Sequence, residues 1–159
     1  MSWVSDGIVK GQSALIWIPE HAPKNGVFKV WWTEDDPAEG ASLEDNGCHL
    51  RWHMEFNNGE RADGTSYGWF YSGQIRQIIT WKNGVMDGPN LQFHSNGYIN
   101  NQMQYLNGKE HGVWFKRDID GSIEKVQEWD NGKLIWSEDG PHIMDRPIQL
   151  AKLKFGSTD

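Results

Sequence analysis

"SNGYINNQMQYLNG", residues 95–108, holds two Asn-Gly pairs eleven residues apart, with Ile99, Met103 and Tyr105 between them. A two-residue hairpin loop of type I′ needs positive φ at both central residues, and Asn-Gly and Asp-Gly meet that need at the least steric cost. The chain repeats the signal. Asn-Gly occurs seven times, at 25–26, 46–47, 58–59, 83–84, 96–97, 107–108 and 131–132. Asp-Gly occurs five times, at 6–7, 63–64, 87–88, 120–121 and 139–140. Twelve of the 18 glycines therefore follow Asn or Asp. Alternating hydrophobic stretches between such pairs are the strongest short-range hairpin signal.

The glycines also keep a period. Gly73, Gly97 and Gly121 are 24 residues apart, as are Gly84, Gly108 and Gly132, and Gly64, Gly88 and Gly112. Side chains follow the same interval: Ile75, Ile99 and Ile123; Trp81, Tyr105 and Trp129; Tyr67, Leu91 and Phe115. Self-similarity at a fixed period marks a repeat architecture. Each unit reads as two short strands, the first over about 74–82 and the second over about 89–95.

Parity assigns faces, because successive strand side chains point to opposite sides. Ile75, Ile79 and Trp81 fall on one face, with Arg76, Thr80 and Lys82 on the other, where Ile78 is the exception. Leu50, Trp52, Met54 and Phe56 alternate with Arg51, His53, Glu55 and Asn57. The expected fold is all-β: a single-domain antiparallel β-meander of 24-residue hairpin repeats, one face aromatic and the other charged. The unit from Gly47 to Gly73 is longer, so an irregular turn is expected near "NNGERADG".

Units such as "YLNGKEHGVWFKRDIDG" (105–121) resemble MORN-type repeats, closest to the MORN-variant units of bacterial YwqK-like proteins. "WKNGVMDGPNLQFHSNG" (81–97) and "WDNGKLIWSEDG" (129–140) match in part. The resemblance covers roughly residues 45–140 and implies a β-hairpin scaffold of the antitoxin or immunity-protein kind. Residues 1–44 match less well and read as an N-terminal hairpin or cap, with "ALIWIPEHAPKNGVFKVWWTE" (14–34) as one further hairpin. Residues 141–159 read as a C-terminal cap of the same domain. There "DRPIQLAKLKF" (145–155) suits a short amphipathic helix, an extended strand being the alternative.

A net charge of −7 and a pI near 5.3 disfavour a nucleic-acid backbone as partner. Much of the acid lies in "EDDPAEGASLED" (34–45), which carries six carboxylates and reads as a solubilising connector or a patch for a basic partner. No signal peptide is visible, and no run approaches the roughly 20 apolar residues of a membrane span, so a cytoplasmic protein is expected. A single cysteine, Cys48, fits a reducing compartment.

Chemistry is sparse. His49 and His53 are about 13 Å apart on an extended strand, too far to share an ion. His21, His94, His111 and His142 are scattered. "KRDIDGSIEKVQE" (116–128) lacks the terminal Glu of a calcium loop. Cys48 and His49 face opposite ways on a strand, and Arg51, His53 and Glu55 read as the wet side of the first repeat. Neither metal nor cofactor is expected, and the chain reads as a non-enzyme.

Ten tryptophans, four tyrosines and six phenylalanines point instead to recognition. The expected partner-binding residues are Trp69, Trp81, Phe93, Tyr105 and Trp129, each of which also has a plain core reading. The partner would be another protein, basic by charge complementarity, with homo-oligomerisation through sheet edges also open. A structural role, for example in a virion, and a Trp-lined carbohydrate site or enzyme are the alternatives.

Overall fold

Asparagine turns the chain through the left-handed region at four places: Asn58 (φ 51°), Asn83 (52°), Asn107 (49°) and Asn131 (52°). Each is followed by a glycine also at positive φ, giving the two-residue turn the sequence predicts. The computed structural model describes residues 22–140, with the backbone of two short N-terminal strands. Those strands, β1 (Trp3–Ser5) and β2 (Trp17–Pro19), pair antiparallel with each other.

The remaining strands are β3 (Gly26–Trp31), β4 (Leu50–Asn57), β5 (Glu60–Arg61), β6 (Gly64–Trp69), β7 (Ile75–Lys82) and β8 (Val85–Phe93). They continue as β9 (Ile99–Leu106), β10 (Lys109–Glu110), β11 (Gly112–Arg117), β12 (Ile123–Asp130) and β13 (Lys133–Asp139). All join one antiparallel sheet in the order β13-β12-β11-β9-β8-β7-β6-β4-β3, with β10 on β9 and β5 on β4. Chain neighbours are spatial neighbours throughout, so the fold is the expected meander. Among the described residues there is no helix; the helix expected at 145–155 lies outside them.

The hairpin expected within 14–34 does not form. Trp17–Pro19 pairs with Trp3–Ser5, and Gly26–Trp31 instead pairs with Leu50–Asn57 as the edge of the main sheet. Val30 and Trp32 are fully buried there.

The other end of each hairpin is built differently. At Phe70–Gln74, His94–Tyr98 and Asp118–Ser122 the first residue's N–H donates to the last residue's carbonyl, and the glycine N–H donates back to the first carbonyl. These are three-residue loops with the glycine in the left-handed position. Asn96-Gly97 and Asp120-Gly121 therefore sit in a second turn class.

A third role falls to Asp63-Gly64 and Asp87-Gly88, which are not turns. Gly64, Gly88 and Gly112 stand opposite Trp81, Tyr105 and Trp129 in register, each at a positive φ (120°, 102° and 80°) that favours glycine. The residues before Gly64 and Gly112 serve the neighbouring turns: Asp63 Oδ1 accepts from the Asn83 N–H (2.8 Å), and His111 Nδ1 from the Asn131 N–H (3.3 Å). Because Gly88 only bends its strand, β8 starts at Val85 rather than at 89. In the first repeat the turn Asn58-Gly59 is itself regular. One of the two extra residues falls after it, the interval from Gly59 to Gly64 being five rather than four, and the other before it, between Gly47 and Gly59.

Apolar rows occupy both faces, which corrects the expected division into one aromatic and one charged side. One cluster holds Trp81, Met86 and Tyr105, with Ile79, Met103 and Trp114 against it. The other holds Ile123 and Val126, with Val113, Phe115 and Trp136. Register explains the second. Tyr67, Ile78, Leu91, Gln102, Phe115 and Val126 are successive cross-strand partners, so they share one face in a single row. Ile78 is a member of that row, not an exception.

The repeat ends where its glycine does. Position 136 continues the series Gly64, Gly88 and Gly112 but is Trp136, whose ring covers the second cluster from edge strand β13.

Candidate functional site

The fold divides the five aromatic side chains expected to bind a partner. Trp81, Tyr105 and Trp129 come together in one row at the Asn-Gly end, linked through Trp114: ring centroids are 5.2 Å apart for Tyr105–Trp114 and 5.3 Å for Trp114–Trp129. Trp81 and Tyr105 are only 3% and 7% exposed. The Trp81 Nε1–H donates to Ser66 Oγ at 2.8 Å, and the Arg61 guanidinium lies 4.9 Å over its ring. Burial, then the neighbouring Glu110 charge, pushes the Tyr105 hydroxyl up to about 12. Both are core residues. Trp114 and Trp129 are half-buried and form the reachable end of the row.

Trp69 lies elsewhere. It stacks on Tyr67 at 5.9 Å, on the opposite face, and its carbonyl accepts from the Trp32 Nε1–H at 3.1 Å. Phe93 closes β8 at the loop end, across from Ile99. The five do not form one surface.

The acidic segment is folded back rather than loose. Asp36 Oδ1 accepts from the Ala38 and Glu39 N–H groups, and Ser42 bridges to Trp31. Arg51 holds this segment by donating to the Glu39 and Gly40 carbonyls, while its guanidinium stacks 4.4 Å from the Trp32 ring. Burial, with Arg76 nearby, lowers its pKa. Arg51 thus ties a loop to the sheet, and the neighbouring His53 ring stands edge-on to Tyr67 at 6.3 Å. Among the described residues no three of His, Cys, Asp and Glu come close enough to hold a metal ion. Nor do the described residues hold a helix long and apolar enough to cross a membrane.

Because the strands run antiparallel, the 32–49 connection and the loops 70–74, 94–98 and 118–122 all lie at one end of the sheet. Leu43, Tyr71, Tyr98 and Ile119 are exposed there. None was among the five expected residues. Their signal was a large apolar residue within two positions of a loop glycine, in Tyr71, Tyr98 and Ile119, which reading every such glycine as a tight turn passes over.

No protein-family model matches the chain, and neither curated proteins nor solved structures show significant similarity to it.

Proposed function

We propose that this chain is a non-catalytic, cytoplasmic MORN-type scaffold that sequesters a partner protein, in the manner of an antitoxin or immunity protein. The observation that carries the reading is the aromatic row. Trp81 and Tyr105 are locked in the core, and the row runs out into the half-buried Trp114 and Trp129. Large rings held by a rigid frame lose little entropy on binding, which suits a recognition surface. The chain's net charge of −7 favours a basic partner.

Affinity purification of the tagged chain from its host, followed by reconstitution with recombinant protein, tests this. One stoichiometric protein partner is expected. Recovery of the chain alone would overturn the reading.

A second reading, self-assembly through sheet edges, is favoured by the edge strands β3 and β13, which expose Val27, Leu134 and Ile135. Sedimentation velocity over a hundredfold concentration range, about two decades around a micromolar Kd, separates the two. Association that Ile135→Lys abolishes supports assembly; a constant monomer removes it.

A further inference from the structure

The four connections at the loop end differ from the rest of the molecule in charge. Residues 32–49, 70–74, 94–98 and 118–122 contain eight carboxylates and no lysine or arginine, leaving 14 carboxylates against 15 cations elsewhere in the chain. Arg51, Arg76 and Arg117 stand beside these connections, Arg51 and Arg117 donating to the carbonyls of Glu39, Gly40 and Gly121. The rim thus carries eight carboxylates against three guanidiniums and stays net negative. At the Asn-Gly end, acids and bases are mixed: Glu60 and Arg61, Lys82 and Asp87, Lys109 and Glu110, Asp130 and Lys133.

The same rim carries a regular set of apolar side chains, one in each connection: Leu43 (40% exposed), Tyr71 (39%), Tyr98 (55%) and Ile119 (54%). They stand on a firm base. The Asn96 Nδ2–H donates to the Ile119 carbonyl at 2.8 Å, and His94 Nε2 lies 2.9 Å from the Arg117 carbonyl, to which it donates. Tyr71 meets the Trp32 ring edge-on at 6.0 Å. Ordered aromatic and aliphatic knobs framed by charge are what interface anchors look like.

We infer that this rim binds a cationic amphipathic helix of a partner protein. The inference rests on the protein-binding reading and adds a second contact surface, at the end of the sheet opposite the aromatic row. Successive connections are two strands apart, on the order of 10 Å, and seven residues of α-helix rise about 10.5 Å. A helix with apolar residues at heptad spacing can set one against each of two or three neighbouring connections. Lysines and arginines beside them meet the carboxylates, which favours this occupant over an acidic or neutral one.

The probe is a synthetic peptide of about 22 residues, long enough to pass three connections, with leucine at heptad spacing among lysines and arginines. A scrambled peptide of the same composition is its control. Calorimetry near physiological salt should show the patterned peptide binding about tenfold or more tighter than the scramble, one factor of ten being about 1.4 kcal/mol. Amide shift changes should map to Tyr71, Tyr98 and Ile119. The double variant Tyr98→Ser/Ile119→Ser should lose that preference, and Glu34→Lys/Asp35→Lys should weaken both peptides, while Leu106→Ser, exposed at the Asn-Gly end, changes neither. Thermal unfolding checks that each variant is folded. Equal binding of the two peptides, no binding, or shifts confined to the sheet faces would overturn the rim assignment. A native partner whose footprint falls on a sheet face does the same while leaving the protein-binding reading intact.

Discussion

The two ends of this sheet are made from the same dipeptide and differ in almost everything else. At one end Asn83, Asn107 and Asn131 carry the left-handed conformation themselves, and Trp81 and Tyr105 are buried opposite Gly64 and Gly88 in register. At the other, Asn96 is not left-handed. Its side chain works instead, with Oδ1 accepting from the Tyr98 N–H and Nδ2 donating to the Ile119 carbonyl. There Leu43, Tyr71, Tyr98 and Ile119 are exposed within the connections themselves and the acid collects, whereas the exposed Leu106 and Leu134 of the first end stand on strands beside their turns. One end is a core margin and the other is a display. A turn dipeptide in a sequence thus announces a corner without saying which side of it will be covered.

Substitution of rings gives the largest expected contrast. Trp81→Ala removes a buried indole and strands Ser66, so a loss of about 3–5 kcal/mol is expected in denaturant unfolding. Tyr98→Ser, at the display end, should stay within about 0.5 kcal/mol of the parent. Comparable losses would erase the distinction between the ends.

Alkaline titration comes next. A tyrosine with a raised pKa holds its proton more tightly folded than unfolded. Stability from Tyr105 is therefore intact below its ordinary value of 10.0 and falls as pH climbs towards about 12. The fall is at most about 1.4 kcal/mol per pH unit. Tyr105→Phe should lack this component, and an unchanged alkaline slope in that variant would show that the hydroxyl is solvated.

Asparagine replacement sharpens the comparison at roughly 1 kcal/mol. At Asn107 (φ 49°) alanine should cost about 1 kcal/mol for its left-handed backbone, while glycine should nearly match the parent. At Asn96 both should cost about 1 kcal/mol, through two lost hydrogen bonds, with glycine no better than alanine. Rescue by glycine at both sites would mean the two turns are of one class.

The smallest effect concerns Asp120, whose carboxylate is held below its ordinary 3.8 by hydrogen bonds from the Ser122 hydroxyl and N–H. A depressed pKa gives stability that is present above that value and lost as pH falls below it. The gap between the parent and Asp120→Asn should therefore close on acidification below about pH 4. A gap that persists in acid would remove the hydrogen-bonded carboxylate as its cause.

The 24-residue interval, the strand pairs and the meander order could be read from the sequence because a turn glycine and an alternating strand are local features. What could not be read depended on bulges. A register shift recurs at Gly68/Trp69, Gln92/Phe93 and Lys116/Arg117, and no single residue type marks it. Strict parity was therefore misleading beside those points; it placed Ile78 correctly, and that residue looked misplaced only because its face was expected to be charged. The candidate site was less legible still. Trp81 and Tyr105 share their repeat position with Trp129, yet only the last keeps an accessible ring, because Met86 and Trp114 cover the first two. The rim became visible only once the long 32–49 connection was placed beside the short loops.

Interstrand nuclear Overhauser contacts give the most direct test of the continuous ladder. Backbone contacts should link Tyr67 to Ile78, then Leu91, Gln102, Phe115 and Val126 in one unbroken antiparallel series across six strands. A break anywhere in that series, or sequential helical contacts within any of those strands, would contradict it.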